Sequence, residues 1–301
     1  MDRVKRVNLD ITSRCTLGCS TCDRAWYKEN NVKIPKNDMT IEEFDKVSNY
    51  FTEIYFCGQM SDPIFHPNFI DFLKMCDDKN VKVSVHTAAS HQPREWYVRA
   101  FNANKNAEWI FGVDGLPKDS HKYRINQDGE KLFEMMKLAV SLCNKVRWQY
   151  IVFDYNEEDQ IEAYGIAKKE KMRFMLIESS RFYEDEYLKP KEGFAKKETR
   201  NDFRPQCLED KEYGWDYKGR LLPCCWFWKP QNEHLTFSNI MDDKFKIDKV
   251  NNVEEIVNSK EWIEFHRMLK ENPENAPDIC KYKCGVRGGK TSTRTHMKAG
   301  R

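Results

Sequence analysis

Three cysteines near the start of the chain have the spacing of metal or cluster ligands. They form the motif Cys15-x3-Cys19-x2-Cys22. Three thiolates can hold three irons of a four-iron cluster, which leaves the fourth iron open to a small molecule. The alternative is a zinc site completed by Asp23 or His66, but structural zinc sites usually pair their cysteines in C-x2–4-C units.

Four further cysteines form a second group toward the end of the chain: Cys207, Cys224, Cys280 and Cys284. A turn at Gly219 would bring Cys224 back beside the start of a hairpin, and an amphipathic helix over 253–269 would return the last two cysteines to the same place. Four thiolates can close either one iron–sulfur cluster or one tetrahedral zinc site. The spacing leaves both open.

The composition and charge of the chain limit the kinds of partner and the cellular compartment that we expect. The chain has 301 residues, 50 Lys and Arg against 48 Asp and Glu, and a formal net charge of +2, so it has no global charge that would steer it toward nucleic acid or membrane. No stretch approaches the ~20 apolar residues of a membrane span. We therefore expect a soluble cytoplasmic protein. Among its eleven cysteines, the seven of the two groups are expected to serve as ligands rather than to form disulfides.

Residues 4 to about 180 alternate short β-rich runs with helical segments, which predicts βα units and a parallel sheet. The expected strands are Val7–Ile11, Ile54–Cys57, Val81–His86, Trp109–Val113, Val146–Phe153 and Arg173–Ile177. Expected helices include Ile41–Phe51 with a Thr40/Glu43 capping box, Pro67–Asp77, and one capped by Asn156. Six units are too few for the ordinary closed barrel, so we expect a partial one.

The chain is expected to divide into a βα domain over 1–182, a linker over 183–206 and a smaller α+β domain over 207–301. The linker is charged and poor in large aliphatic residues. From Lys281 onward the tail carries seven Lys or Arg and no acid. A solvated end is the expectation for this tail, with the binding of an anionic substrate as the alternative.

The first motif, placed directly after the first strand, resembles the signature of the radical S-adenosylmethionine (SAM) superfamily. That resemblance implies a partial (βα)6 barrel, a [4Fe-4S] cluster on Cys15, Cys19 and Cys22, and bound SAM. Residues 58–63 resemble the family's Gly-Gly-Glu-Pro segment, although serine and aspartate replace a glycine and the glutamate. Residues 87–90 and 113–124 resemble its later cofactor segments. The cofactor-binding residues implied are Gly58, Gln59, Ser61, Asp62, Ser90 and Arg124.

The second cysteine group is similar to the start of the SPASM/twitch extension, C-x9–15-G-x4-C. The small number of later cysteines matches the twitch form with one auxiliary [4Fe-4S] cluster. In this resemblance Cys224, rather than Cys225, holds the ligand position. The predicted auxiliary ligands are therefore Cys207, Cys224, Cys280 and Cys284.

The resemblance implies an oxidoreductase- or transferase-type enzyme that cleaves SAM to a 5′-deoxyadenosyl radical and abstracts hydrogen from an unactivated carbon. Its expected partners are a small-molecule, nucleotide or peptide substrate and a flavodoxin- or ferredoxin-like electron donor. The sequence does not support sequence-specific nucleic-acid binding, because no strand carries the paired aromatics of an RNA-binding face. A non-catalytic iron–sulfur carrier or a zinc-stapled binding module is the alternative.

Overall fold

Strands and helices alternate along the first six-tenths of the chain. The computed structural model describes residues 5–179, 188–192, 202–209, 211–227, 239–285 and 292–297. The strands are β1 Arg6–Leu9, β2 Glu53–Phe56, β3 Lys82–Thr87, β4 Glu108–Gly112, β5 Lys145–Ile151, β6 Arg173–Ser179, β7 Glu212–Trp215, β8 Leu221–Leu222 and β9 Ser292–Met297. The helices are α1 Asp23–Glu29, α2 Ile41–Tyr50, α3 Phe69–Asp78, α4 Arg94–Ala103, α5 Gly129–Leu142, α6 Gln160–Lys169, α7 Gln206–Glu209, α8 Val253–Val257, α9 Lys260–Glu271 and α10 Asp278–Cys284.

These strands form one mostly parallel sheet of nine strands in the order β8-β7-β1-β2-β3-β4-β5-β6-β9. Strands β1 to β6 are parallel and lie in chain order. The chain then returns to the first edge, where β7 pairs parallel with β1 and β8 turns back antiparallel to β7. At the other edge β9 is antiparallel to β6. The expected α/β fold with a mostly parallel sheet is confirmed.

The two faces of the sheet carry different side chains. One face packs against the helices, and Trp109 and Trp148 are fully buried in that main core. The opposite face, which we call the inner face, carries a separate apolar cluster. Its members are Ile110, Met175 and Ile177, with Ile151 packed against them. Because alternate residues of a strand point to opposite faces, each strand contributes to both.

The two ends of the strands also differ. At their amino-terminal ends the inner face is crossed by ion pairs, Arg6 with Glu53 at 2.8 Å and Arg147 with Glu108 at 2.6 Å. At their carboxyl ends the strands lead into the loops that carry the predicted cofactor residues. Loops after parallel strands meet at one edge, which is where α/β proteins build their sites.

Several local predictions are confirmed. Thr40 caps α2 in a capping box, in which its side chain accepts from the Glu43 backbone and its own backbone N–H donates to the Glu43 carboxylate at 2.7 Å. Gly219 forms the predicted turn between β7 and β8 with a φ of +83°, a conformation that glycine adopts without strain. The strand bounds agree with the predictions to within two residues.

Other local predictions are wrong. The single helix expected over 253–269 is two helices, because the Ser259 hydroxyl accepts from the Trp262 N–H and begins α9 afresh. Asn156 does not cap α6: its side-chain oxygen accepts from the Phe153 N–H at 2.8 Å, within a 3-10 helix over Asp154–Asp159. Helix α3 begins at Phe69 rather than at the preceding proline.

The tail is not wholly a solvated end, since residues 292–297 form β9. The remaining tail residues from 286 onward lie outside the described residues, as does most of the predicted linker over 183–206. Among the helices that the structure describes, none has the length and apolar character needed to cross a membrane.

Candidate cofactor and metal site

The loop between β1 and α1 carries the first three cysteines. Cys19 is buried, Cys15 and Cys22 are half-buried, and Cys22 is the residue before α1. Burial, together with the negative charges of Asp62 and Cys22, raises the pKa of the Cys15 thiol to about 12. Burial raises the pKa of the Cys22 thiol to about 11, and the nearby Cys19 thiol contributes to this rise. The three thiols therefore share one neighbourhood at the carboxyl end of β1.

Arg24 in α1 fastens this loop to the loop that follows β2. One of its guanidinium nitrogens donates to the carbonyls of Ser13 and Met60, each at 2.7 Å, and the other reaches the carbonyl of Cys15 at 3.4 Å. A single planar guanidinium can hold several carbonyls in fixed relative positions. The cysteine loop is thus fixed against the loop of residues 57–62.

Asp10, directly after β1, is a site residue that the sequence reasoning missed. Its buried carboxylate accepts the backbone N–H groups of Gln59 and Met60, at 3.1 and 2.9 Å, and also the Ser61 hydroxyl. Removal from water raises the pKa of Asp10 to about 7, although these hydrogen bonds oppose the rise. The available signal was a carboxylate placed immediately after an alternating apolar strand.

The loop after β2 is too tight for any residue but glycine at position 58. A Cβ there would lie 2.3 Å from the Ser61 carbonyl oxygen. The next residue, Gln59, donates to the Cys225 carbonyl, and its own carbonyl is 3.9 Å from the Cys22 sulfur. The side-chain oxygen of Gln59 is buried and has no hydrogen-bond partner among the described residues. It is an unused acceptor beside the cysteine loop.

The Asp62 carboxylate forms its hydrogen bonds with groups of the protein itself. Its carboxylate accepts the Thr87 hydroxyl at 2.8 Å and the backbone N–H groups of Ala88 and Ala89 at 2.8 and 3.0 Å. The Ile64 N–H, at 3.3 Å, is a fourth donor. Since an ionised carboxylate offers about four lone-pair sites, this aspartate holds the turn after β3 and has little capacity left for a ligand.

Arg124 lies beside the cysteine loop and is held there by Asp114. Its Nε donates to the buried Asp114 carboxylate at 2.7 Å, while Nη1 lies 3.9 Å from the Cys19 sulfur. The other oxygen of Asp114 accepts the Ile151 N–H at 2.7 Å. Ser90 lies near the same loop cluster, where its hydroxyl accepts the Asp128 N–H at 2.8 Å. The guanidinium is therefore positioned, with Nη groups left to bind an anion.

The thiols of the second cysteine group lie within electrostatic range of one another. Burial, together with the nearby Cys284 thiol, raises the pKa of Cys207 to about 12. The thiols of Cys207 and Cys284 also contribute to the raised pKa of Cys280. Cys224, with its pKa raised by burial, is near Cys207 and Cys280 as well. The Cys225 thiol has different neighbours. After burial, the Cys57 thiol has the largest effect on the pKa of Cys225.

Gly214 in β7 allows the chain at Cys224 to pass this close. A Cβ at position 214 would lie 2.8 Å from the Cys224 carbonyl group and from the Cys225 nitrogen. Any side chain would push the hairpin away from the strand. This glycine was not singled out from the sequence, because its role depends on a contact ten residues along the chain.

In the type and number of their residues, the two cysteine sets fit the groups that the sequence implies. Three thiols with no fourth cysteine among them suit a four-iron cluster with one open iron, and four suit a fully ligated cluster. Within the described ranges, no three Cys, His, Asp or Glu side chains lie close enough together to hold a metal ion. His66, the alternative zinc ligand, uses both ring nitrogens, with the Met39 carbonyl at 2.9 Å and the Asn68 N–H at 3.1 Å.

A cavity of about 420 Å³ opens at the opposite, amino-terminal end of the strands. It is lined by residues such as Asn80, Asn104 and Asn144, far along the strands from the cysteine loop. Its lining includes Cys76 as the one cysteine and none of the predicted cofactor residues. The chemistry-bearing side chains are therefore at the other edge of the sheet.

Comparison with known proteins identifies the fold. No protein-family profile and no curated sequence matches the chain. Among solved structures, Streptococcus suis SuiB bound to the precursor peptide SuiA matches with a TM-score of 0.59 and 11% identity, over 87% of this chain and 66% of SuiB. Native anSMEcpe with bound AdoMet and Cp18Cys peptide matches with a TM-score of 0.55 and 13% identity, over 95% and 89%.

A further SuiB structure, bound to S-adenosylmethionine, matches with a TM-score of 0.58 and 11% identity over 93% of this chain and 77% of SuiB. These neighbours are radical SAM enzymes. The chain therefore has the radical SAM fold. At such low identities the likeness is one of fold, and in the peptide complex this chain spans about two thirds of SuiB's length.

Proposed function

We propose that this chain is a radical SAM enzyme that cleaves SAM reductively and abstracts hydrogen from an unactivated carbon of a small-molecule, nucleotide or peptide substrate. The observation that carries the proposal is the neighbourhood of Cys15, Cys19 and Cys22 at the carboxyl end of β1, where the fold gathers its loops. The peptides bound to SuiB and anSMEcpe support a peptide as one candidate substrate.

In this proposal Cys15, Cys19 and Cys22 hold a four-iron cluster, and Cys207, Cys224, Cys280 and Cys284 hold a second. When bound, the first cluster supplies the electron that splits SAM into methionine and a 5′-deoxyadenosyl radical. A ferredoxin- or flavodoxin-like protein would deliver that electron, and the fully ligated second cluster would relay electrons rather than bind substrate.

The chain's own residues would bind and orient SAM. Arg124, held by Asp114, presents the Nη groups of its guanidinium, which suit the methionyl carboxylate. The unpaired side-chain oxygen of Gln59 suits the methionyl amino group. Asp62 would act indirectly, because its carboxylate holds the turn that leads to Ser90.

Anaerobic reconstitution with iron and sulfide, followed by dithionite and SAM, tests the proposal. About eight irons per chain are expected, since each four-iron cluster contributes four, together with 5′-deoxyadenosine in the chromatogram. The triple variant Cys15→Ala, Cys19→Ala, Cys22→Ala should keep about four irons and form no 5′-deoxyadenosine. The matched control Cys143→Ala changes a buried cysteine outside both groups. It should keep the iron content and the formation of 5′-deoxyadenosine.

Two results would overturn this function. Zinc in place of iron, with no 5′-deoxyadenosine, would favour a zinc-stapled binding module. Two clusters without SAM cleavage in the wild-type protein would favour a non-catalytic electron carrier.

A further inference from the structure

The tail strand β9 contributes side chains to the inner face of the sheet. It pairs antiparallel with β6 so that Arg294 lies opposite Ile177 and His296 opposite Met175. Residues directly opposite in a sheet project from the same face. Because Ile177 and Met175 belong to the inner apolar cluster, Arg294 and His296 project from the inner face too.

Contacts with other strands agree with this placement. Nη1 of Arg147 in β5 lies 3.1 Å from Nδ1 of His296. Arg147 is in register with Ile110 of the inner cluster, and Ile110 is in register with His86 of β3. Three cationic or imidazole side chains from β3, β5 and β9 therefore share the inner face with Arg294.

The carboxylates on this face already have partners. Glu108 pairs with Arg147 at 2.6 Å, and Glu212 accepts from Asn8 at 2.7 Å and lies 3.6 Å from Arg6. Within the part of the chain that the structure describes, Arg294 has no ion pair, and its side chain is exposed. The inner face thus has an uncompensated guanidinium that remains accessible.

The charge of Arg294 influences side chains at the carboxyl ends of the strands, where the candidate site lies. Burial, together with the positive charges of Arg294 and Arg147, lowers the pKa of His86 to about 4. Burial raises the pKa of the Cys57 thiol to about 11, and Arg294 is the strongest influence that opposes this rise. Cys57 follows β2 directly, two residues before Gln59. The positive charge of Arg294 is therefore felt beside the candidate SAM site. His86, in the same region, is neutral.

We infer that Arg294 binds an anionic oxygen group of the substrate, a carboxylate or a phosphate, on the inner face beside Cys57 and His86. A guanidinium suits such groups because its fork of N–H donors matches two oxygens at once. This substrate class rests on the proposed function. The neutral His86 would add a hydrogen bond, and the apolar cluster of Ile110 and Ile177 would contact the uncharged part of the substrate.

Alkylation of Cys57 in the reconstituted protein tests the inference without a SAM-dependent readout. Iodoacetate carries a carboxylate and iodoacetamide does not, so the ratio of their rates at Cys57, from peptide mass spectrometry, reports local attraction for an anion. We expect Arg294→Gln to lower this ratio about tenfold, as loss of electrostatic steering would. Arg294→Lys should keep part of the ratio, and the exposed Arg99→Gln on α4 should keep all of it.

The same assay identifies the anion. At constant ionic strength, preferential protection of Cys57 by acetate would indicate a carboxylate, and preferential protection by inorganic phosphate would indicate a phosphate. An unchanged ratio in Arg294→Gln, protection by neither anion, or a Cys57 that neither reagent reaches would each overturn the inference. 5′-Deoxyadenosine formation, measured on the same preparation, separates such a failure from a failure of the proposed function.

Discussion

The Nε of Arg124 donates to a buried oxygen of Asp114 over 2.7 Å, and this ion pair holds the guanidinium beside the loop of Cys19. Asp114 has no exposed surface, and Arg124 retains only 16% of its side-chain exposure. The pair is therefore desolvated, and each partner depends on the other for compensation of its charge.

The first prediction follows from that dependence. Asp114→Asn should lower the free energy of unfolding by about 3–5 kcal/mol, because it leaves a buried guanidinium uncompensated. Urea denaturation of the reconstituted protein measures the change. The matched control is Asp202→Asn, which breaks the exposed pair with Arg204 at 2.7 Å and should leave the urea midpoint unchanged. Equal effects of the two substitutions would contradict the role of burial.

A second prediction concerns the unpaired side-chain oxygen of Gln59. If it accepts the methionyl amino group, Gln59→Leu should raise the KM for SAM about tenfold, the loss expected for a hydrogen bond to a charged group. Steady-state 5′-deoxyadenosine formation measures it. Gln160→Leu, which changes a glutamine at the start of α6, should leave this KM unchanged. A normal KM in Gln59→Leu would exclude Gln59 from SAM binding.

The sequence could predict the candidate site for the first cluster because its signal is local. The spacing of Cys15, Cys19 and Cys22 and the β-rich run before them lie within one segment, and the strand period is visible in a single sequence. The Thr40/Glu43 capping box is local for the same reason. Such features depend on residues only a few positions apart, so one sequence is enough to predict them.

Features that depend on distant partners could not be predicted in this way. The role of Asp10 depends on backbone groups 49 and 50 residues away. The position of β9 depends on which sheet edge is free at β6, and the sequence alone does not specify that pairing. The break between α8 and α9 was missed because apolar periodicity continues through Ser259 while its hydroxyl starts a new helix.

A third prediction concerns the close approach at Gly214. Gly214→Ala places a Cβ 2.8 Å from backbone atoms of Cys224 and Cys225, so the hairpin must move. We expect iron per reconstituted chain to fall from about eight toward about four, one cluster's content. The control Gly165→Ala in α6 meets nothing within 4 Å and should raise stability by up to about 1 kcal/mol. Unchanged iron in Gly214→Ala would contradict ligation by Cys224.

A fourth prediction concerns the pH dependence that Asp10 confers. Its pKa in the folded protein is raised from the usual 3.8 to about 7 by burial. The folded state then holds a proton that the unfolded chain releases, so stability should fall as pH rises between these two values and stay level above them. The slope is about 1.4 kcal/mol per pH unit.

Asp10→Asn removes this titration but keeps the shape of the side chain. Its amide oxygen can accept the Gln59 and Met60 N–H groups, and its amide nitrogen can donate to Ser61. Relative to wild type, we therefore expect the variant to gain about 2 kcal/mol of stability between pH 5 and pH 7, measured by urea denaturation. Parallel stability curves would mean that the three hydrogen bonds to Asp10 outweigh its burial and keep the carboxylate ionised in the folded protein.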